Sequence, residues 1–256
     1  MKLARWAASG RILEGRFEDG VLIAMDGSRY VPDEVVWLPP SEPTKVIGIA
    51  LNFADHAAEL NLEKPEIPAI FFKPTTSLLG HRGTVLMPPG SEYMHYEVEL
   101  VAIIDRSCRH VKAADALDYI SGYTIGNDVT VRDRIGKYFR PPMIGKGWDT
   151  FGPIGPWIVT ADEFADPSNV NLRTFVNGEM RQQGNTRDML FTLQEMIEYV
   201  AMIMPLERGD QIWTGTPKGL SHVYPGDTMR VEIDRIGALE NTIAEGPALH
   251  SSMFKS

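Results

Sequence analysis

Two glutamates spaced two residues apart, Glu97 and Glu99 in EYMHYEVELVAIID (92–105), stand where a run turns almost wholly apolar. In an extended chain side chains alternate faces, so His95, Glu97 and Glu99 share one side and Tyr96, Val98 and Leu100 the other. Such a glutamate pair is ordinarily the solvent face of an edge strand. Here LVAII (100–104) is apolar on both faces, which predicts a strand entering the interior. Two carboxylates there cannot both ionise cheaply without a cation. A hard divalent ion meets that need: magnesium takes oxygen ligands at about 2.0–2.1 Å and keeps several waters, so two or three carboxylates suffice. A third is expected elsewhere. Asp128 is the candidate, at the end of the β-like run in GYTIGNDVTVRD (122–133). A helix N-cap is the competing role, because the residues after it could open a helical turn. His95 is a competing ligand, yet imidazole suits magnesium poorly and is expected to hydrogen-bond within the sheet.

The elements that must position these residues are mostly strands. Residues 1–38 alternate short β-like runs (LARWA, RILEGRF, VLIAM) with turn signals at Ser9-Gly10, Asp19-Gly20 and Asp26-Gly27. They predict a small antiparallel unit over 1–40. LPPSEPTK (38–45), with three prolines, cannot continue a helix or a central strand and reads as a linker to a catalytic roll over 46–256. Past it come a strand in KVIGIAL, a short helix in ADHAAEL (54–60), an FFKP strand and the glutamate strand. A hairpin RTFVNGEMRQQ turns at Asn177-Gly178, an amphipathic helix fills about 192–204 until Pro205, and the strands DQIWTGT, TMRVEID and NTIAE follow. Strands outnumber helices, with neither βαβ alternation nor an internal repeat. The fold class is mainly β, an antiparallel roll with short peripheral helices.

Composition removes several functions. With 34 acidic against 25 basic residues, a net charge of -9 and no Lys/Arg block, the chain repels phosphate backbones and anionic lipid, so nucleic acid is excluded as partner. The apolar runs are too short to span a bilayer, and the N-terminus carries no signal-like apolar stretch, which leaves the cytoplasm as the expected location. Cys108 is the single cysteine, excluding an internal disulfide and a thiolate cluster. No Walker A or dinucleotide fingerprint is present.

The combination ALNFADHAAEL, FFKP, EYMHYEVEL, GYTIGNDVTVRD, Lys146 before FGPIGPWIV, RTFVNGEMRQQG and GDQIWTGTPKGL, in this order over about 46–245, resembles the fumarylacetoacetate hydrolase family. Within it, EYMHYE, VRDRIGKYFRP and TGTPKGLSHVYPGD are similar to the members that isomerise and decarboxylate intermediates of homoprotocatechuate (4-hydroxyphenylacetate) breakdown. The resemblance implies a mixed β-sandwich roll, a homodimer, and a magnesium or manganese enzyme acting on 2-oxo or 2-hydroxydienoic diacids through an enolate. It assigns Glu97, Glu99 and Asp128 to the metal. It makes His56 and Glu59 an acid/base dyad on a lid, sets Lys146 against developing negative charge, and gives substrate contacts to Arg132 and to Thr216 in TGTP. Tyr138 and Arg140 in KYFRP are placed with the substrate too, a guanidinium being a natural bidentate receptor for the distal carboxylate of a dioic acid. The chain departs from the family pattern at Trp148-Asp149, near the expected pocket. Acylpyruvate hydrolysis and oxaloacetate decarboxylation are alternatives within the family. A non-catalytic ligand-binding roll with a structural ion is the alternative outside it.

Overall fold

A computed structural model describes residues 1–60, 63, 65–135, 142–164 and 166–248. Among these the chain is mainly strand. The largest sheet has twelve strands. Its path runs Arg29–Tyr30, Val21–Ala24, Arg11–Glu18, Lys2–Ala8, Gly152–Thr160, Ile120–Asn127, Val98–Ile104, Gln211–Trp213, Val46–Ala50 and Ala69–Lys73. Val36–Trp37 and Leu78–Leu79 pair off that path. A second sheet of five orders Glu179–Asn185, Asn171–Val176, Thr228–Ile233, Gly237–Glu245 and Thr84–Met87. Pairing is mainly antiparallel; the exceptions include Gln211–Trp213 against Val46–Ala50 and Gly237–Glu245 against Thr84–Met87.

Local chemistry accounts for the elements. Asn177 and Gly178 both take positive φ, 51° and 84°, as the tight hairpin between Asn171–Val176 and Glu179–Asn185 requires. The Leu193–Ile203 helix starts at a capping box: Thr192 Oγ1 accepts from Glu195 N while Glu195 Oε2 accepts from Thr192 N. Its apolar stripe Leu193, Met196, Ile197, Val200 and Ala201 is buried. That stripe packs in one core cluster with Leu100, Ala102 and Ile104 of the glutamate strand and with Leu172 and Val231 of the second sheet. The helix is thus a clamp between the sheets.

The first strands do not stand apart from the rest. Lys2–Ala8 pairs with Gly152–Thr160, continuing the large sheet outward. Phe17 stacks on Trp157 at 4.5 Å between centroids, Lys2 Nζ lies 4.6 Å over the same indole, and Arg5 bonds both the Pro39 carbonyl and Glu42. No helix among the described residues is long and apolar enough to cross a membrane.

Candidate active site

Val98–Ile104 is buried along its whole length, as an apolar run inside a sheet must be. Its neighbours are Ile120–Asn127 on one side, with Glu99 opposite Gly126, and Gln211–Trp213 on the other, with Val101 opposite Trp213. Each neighbour ends at the same edge as the two glutamates. Beyond one lies Asp128, whose N–H donates to the Glu97 carbonyl at 2.9 Å; beyond the other lies Gly215, whose N–H donates to Glu99 Oε2 at 2.8 Å. Gly215 sits at φ +89°, and a Cβ there would come within 2.9 Å of the Asn52 side chain, so this close donor demands glycine. The residues after Asp128 pair as a short strand with Met94–His95 before Arg132–Arg134 coils, and Val131 caps that turn. The N-cap role for Asp128 is thereby excluded.

Glu97, Glu99 and Asp128 are all buried, and each offers one carboxylate oxygen within 4.8 Å of the others. Around them stand cations. Lys146 Nζ donates to Glu97 Oε2 at 2.8 Å, Asp128 Oδ2 at 2.5 Å and Thr130 Oγ1 at 2.8 Å. Lys73 Nζ donates to Asp128 Oδ1 at 2.7 Å and to the Lys146 carbonyl at 2.5 Å. Arg132 reaches Glu97 Oε1 at 3.3 Å. Burial pushes the Glu97 carboxyl up, but the charges of Lys146 and Arg132 outweigh it and hold the group ionised below its ordinary range. Burial also raises Glu99, and there the Asp128 and Glu97 charges add to it, so its pKa lies well above the ordinary value. Burial lowers Lys146, but Asp128 and Glu97 reverse the sign and keep it an ammonium. Lys73 is lowered, burial prevailing over Asp128. Three oxygen donors on one point, one of them short of compensating charge, fit a hard divalent cation.

His95 is not part of that donor set. Burial depresses it to about 3, so the imidazole is neutral; its Nε2 accepts from Arg132 Nε at 3.2 Å and Nδ1 faces the Tyr96 carbonyl at 3.2 Å. It orients Arg132.

The His56–Glu59 pair comes from the opposite wall. Asn52 anchors the base of the Ala54–Glu59 helix, donating to the Thr214 carbonyl at 2.8 Å and accepting from Phe191 N at 2.9 Å. His56 is buried, and its Nδ1 lies 3.4 Å from Glu59 Oε2. Glu59 Oε1 accepts from Gly219 N at 3.0 Å and Leu220 N at 3.2 Å, so the carboxylate spans helix and loop. His56, the carboxylates, Arg132, Lys146 and Thr216 line one cavity of about 280 Å³, whose remaining wall includes Leu51, Leu60, Ile70, Phe71 and Ile135. Trp148 is not among its lining residues.

The structure therefore brings together His56, Glu59, Glu97, Glu99, Asp128, Arg132, Lys146 and Thr216. Tyr138 and Arg140 lie outside the described residues. Two residues escaped sequence reasoning. Lys73 did so although strand alternation in AIFFK puts it on the face of buried Phe71 while Phe72 points to solvent. The other is Gln182, buried on the second sheet. Its Oε1 accepts from Thr174 Oγ1 at 2.8 Å and Val98 N at 3.3 Å, which fixes the amide. Its Nε2 therefore donates to Thr216 Oγ1 at 2.8 Å and to the Pro217 carbonyl at 2.6 Å. Thr216 accepts from Gln182, and its own proton is left to donate into the cavity.

Residues 45–244 match the family model described as fumarylacetoacetate (FAA) hydrolase C-terminal. A 4-hydroxyphenylacetate degradation bifunctional isomerase/decarboxylase of Salmonella dublin is 45% identical over 205 residues, 80% of this chain and 48% of the relative. The chain thus spans about half the length of that bifunctional protein. Among solved structures, a 5-carboxymethyl-2-hydroxymuconate delta-isomerase from Mycobacterium smegmatis superposes with a TM-score of 0.87 at 38% identity, covering 96% of this chain and 100% of the other. A maleylpyruvate hydrolase from Sphingobium sp. SYK-6, in complex with manganese(II) and pyruvate, has a TM-score of 0.82 at 29% identity over 96% and 100% of the two chains.

Proposed function

The chain belongs to the fumarylacetoacetate hydrolase family, and from that premise we propose that it is a divalent-metal-dependent isomerase or decarboxylase of 2-oxo or 2-hydroxydienoic diacids in aromatic catabolism. One observation carries the reading: a buried three-carboxylate cluster and His56, itself paired with Glu59, line one cavity, with Lys146 between the carboxylates. The names of the Salmonella and Mycobacterium relatives support the substrate class.

A magnesium or manganese ion held there would supply Lewis acidity to such a substrate. Glu97, Glu99 and Asp128 would hold it. Lys146 places a fixed positive charge where the enolate oxygen develops, donating hydrogen bonds without surrendering a proton. In isomerisation His56 takes the proton of the substrate's 2-hydroxyl and returns it to a carbon of the conjugated chain, so that the 2-hydroxydienoate becomes the 2-oxo-enoate. Glu59 at Nδ1 selects the tautomer and leaves Nε2 as the reacting nitrogen. Thr216 donates its hydroxyl proton to the substrate, and Leu51, Leu60 and Ile70 keep water from the carbanion. Isomerisation and decarboxylation share that enolate, the leaving group being a proton in one and carbon dioxide in the other.

Charge balance favours a doubly anionic substrate. The three carboxylates already face Lys73, Lys146 and Arg132, so a divalent ion leaves two positive charges to be met. The test is direct: protein loaded with magnesium or manganese is mixed with 2-hydroxyhepta-2,4-diene-1,7-dioate, its tricarboxylate precursor, oxaloacetate and acetylpyruvate, while ultraviolet absorbance and carbon dioxide are followed. Turnover of either dienoic acid is expected; no reaction with any of the four would end the proposal. Cleavage of acetylpyruvate in preference would instead support a hydrolase, the activity named for the Sphingobium relative. A homodimer belongs to the same proposal and is read by sedimentation.

A further inference from the structure

Tyr96 lies between the two metal-strand residues His95 and Glu97 but points away from the cavity. Its ring is fully buried in the second core cluster, beside Met94, Val129 and Val223. Its hydroxyl donates to the Gly219 carbonyl at 2.8 Å and meets Ser221 Oγ at 2.7 Å. That carbonyl and the Leu220 N–H belong to one peptide unit, and the Leu220 N–H donates to Glu59 Oε1 at 3.2 Å. A single chain of contacts thus runs from Ser221 through Tyr96, the 219–220 peptide and Glu59 to His56. We propose that Tyr96 is a positioning residue for the His56–Glu59 pair, its hydroxyl fixing the peptide on which Glu59 docks.

Three further observations show that this loop is held for docking. His222 stacks on Tyr93 at 3.8 Å between centroids with the rings 11° apart. Val223 N donates to the Met94 carbonyl at 3.0 Å, so the metal-bearing segment grips the loop at three successive points. Gly219 sits at φ +112°, and a Cβ there would stand 2.6 Å from the Arg181 carbonyl oxygen, so the peptide turns in a space only glycine fits. A hydroxyl donating to a peptide carbonyl also polarises that peptide's N–H, which strengthens the bond to the carboxylate. Glu59 is partly open to water, and the orientation of the two N–H donors it docks on is what sets it in one rotamer.

The kinetic arm of the test rests on the catalytic reading above; the exchange arm does not. Tyr96→Phe keeps the buried ring and removes the hydroxyl. Amide hydrogen exchange over 54–60 is expected to quicken about fivefold, the loss of one ordinary hydrogen bond, with the Leu193–Ile203 helix unchanged as internal control. With substrate, kcat falls while KM and magnesium affinity stay within about twofold. The double variant Tyr96→Phe/Glu59→Gln is no slower than Glu59→Gln alone, because both act through one contact. Unchanged exchange over 54–60, equal acceleration in the control helix, or multiplying kinetic effects would each overturn the proposal. If Tyr96→Phe does not fold, Ser221→Ala decides: exchange over 54–60 about twofold faster supports it and no change refutes it. If the parent protein turns over nothing, the function fails and the exchange result still stands by itself.

Discussion

The two walls of the cavity are built on different physics. Glu97, Glu99, Asp128 and Lys73 stand on or beside strands of the twelve-stranded sheet and Lys146 ends the short helix Met143–Lys146; all are buried, each held by hydrogen bonds to others of the group or to backbone. His56 and Glu59 stand on a six-residue helix, and Glu59 docks on two backbone N–H groups while partly exposed. One wall is a buried charge pattern whose carboxylates are fixed by the sheet. The other is a short element held to the body of the protein through Glu59 and through Asn52 at its base. On the function proposed above, such a site would keep its electrostatics constant and leave the placing of the proton relay to the Glu59 contacts.

The division is tested hardest at Asp128. Asp128→Ala leaves Lys73 and Lys146 short of a buried partner, so denaturant unfolding should show a loss of about 3–5 kcal/mol, and calorimetry should show divalent-ion affinity collapsing with it. Retained stability and retained ion binding would mean that the fixed wall is not a unit. His56→Ala strikes the opposite wall: turnover should fall about 10²–10⁴-fold while ion affinity and melting temperature hold, and a variant of normal rate would remove His56 from the chemistry.

Lys73→Met is a milder probe of the fixed wall. It leaves Asp128 Oδ1 and the Lys146 carbonyl without their donor, for an expected loss of about 1–3 kcal/mol in chemical denaturation. A neutral result would make Lys73 a bystander. The smallest effect is graded with pH. The folded Glu99 carboxyl keeps its proton above its ordinary value of 4.5, where the unfolded chain has released it. Ion-free stability should therefore decline as pH rises through that window, by at most about 1.4 kcal/mol per unit. Divalent-ion affinity should climb over the same window, because binding expels that proton, by up to about tenfold per unit. Calorimetry in buffers of different ionisation enthalpy counts the proton released; none released would leave Glu99 outside the ligand set.

How far the sequence could carry this picture depends on which forces are local. Glu97 and Glu99 declared themselves because acidic residues preceded a run apolar on both faces, a pattern with few inexpensive solutions. The Asn177-Gly178 hairpin and the capped helix after Thr192 were equally visible, since their determinants lie within a few residues. Asp128 could be named but not separated from an N-cap until the pairing of Thr130-Val131 with Met94–His95 was known. His56 and Glu59 carry no sequence signal of their own; only family likeness singled them out. Lys73 and Gln182 were missed because a lone lysine after two phenylalanines and a glutamine in a polar hairpin both read as solvent-facing. Their inward direction is fixed by strands distant in the chain. The same limit hid the joining of the first strands to Gly152–Thr160.

The contacts of the centre also say when it forms. Lys73 meets Asp128 across 55 residues of chain, and Glu99 meets the Gly215 N–H across 116. Each contact closes a long loop, which places it late on the folding route, after the hairpins and the clamping helix have cut the search. An ion that needs all three carboxylates has nothing to grip in the transition state. Added magnesium should therefore leave the refolding limb of the chevron where it is and lower the unfolding limb, acting as a brake on escape from the native state rather than as a seed for reaching it.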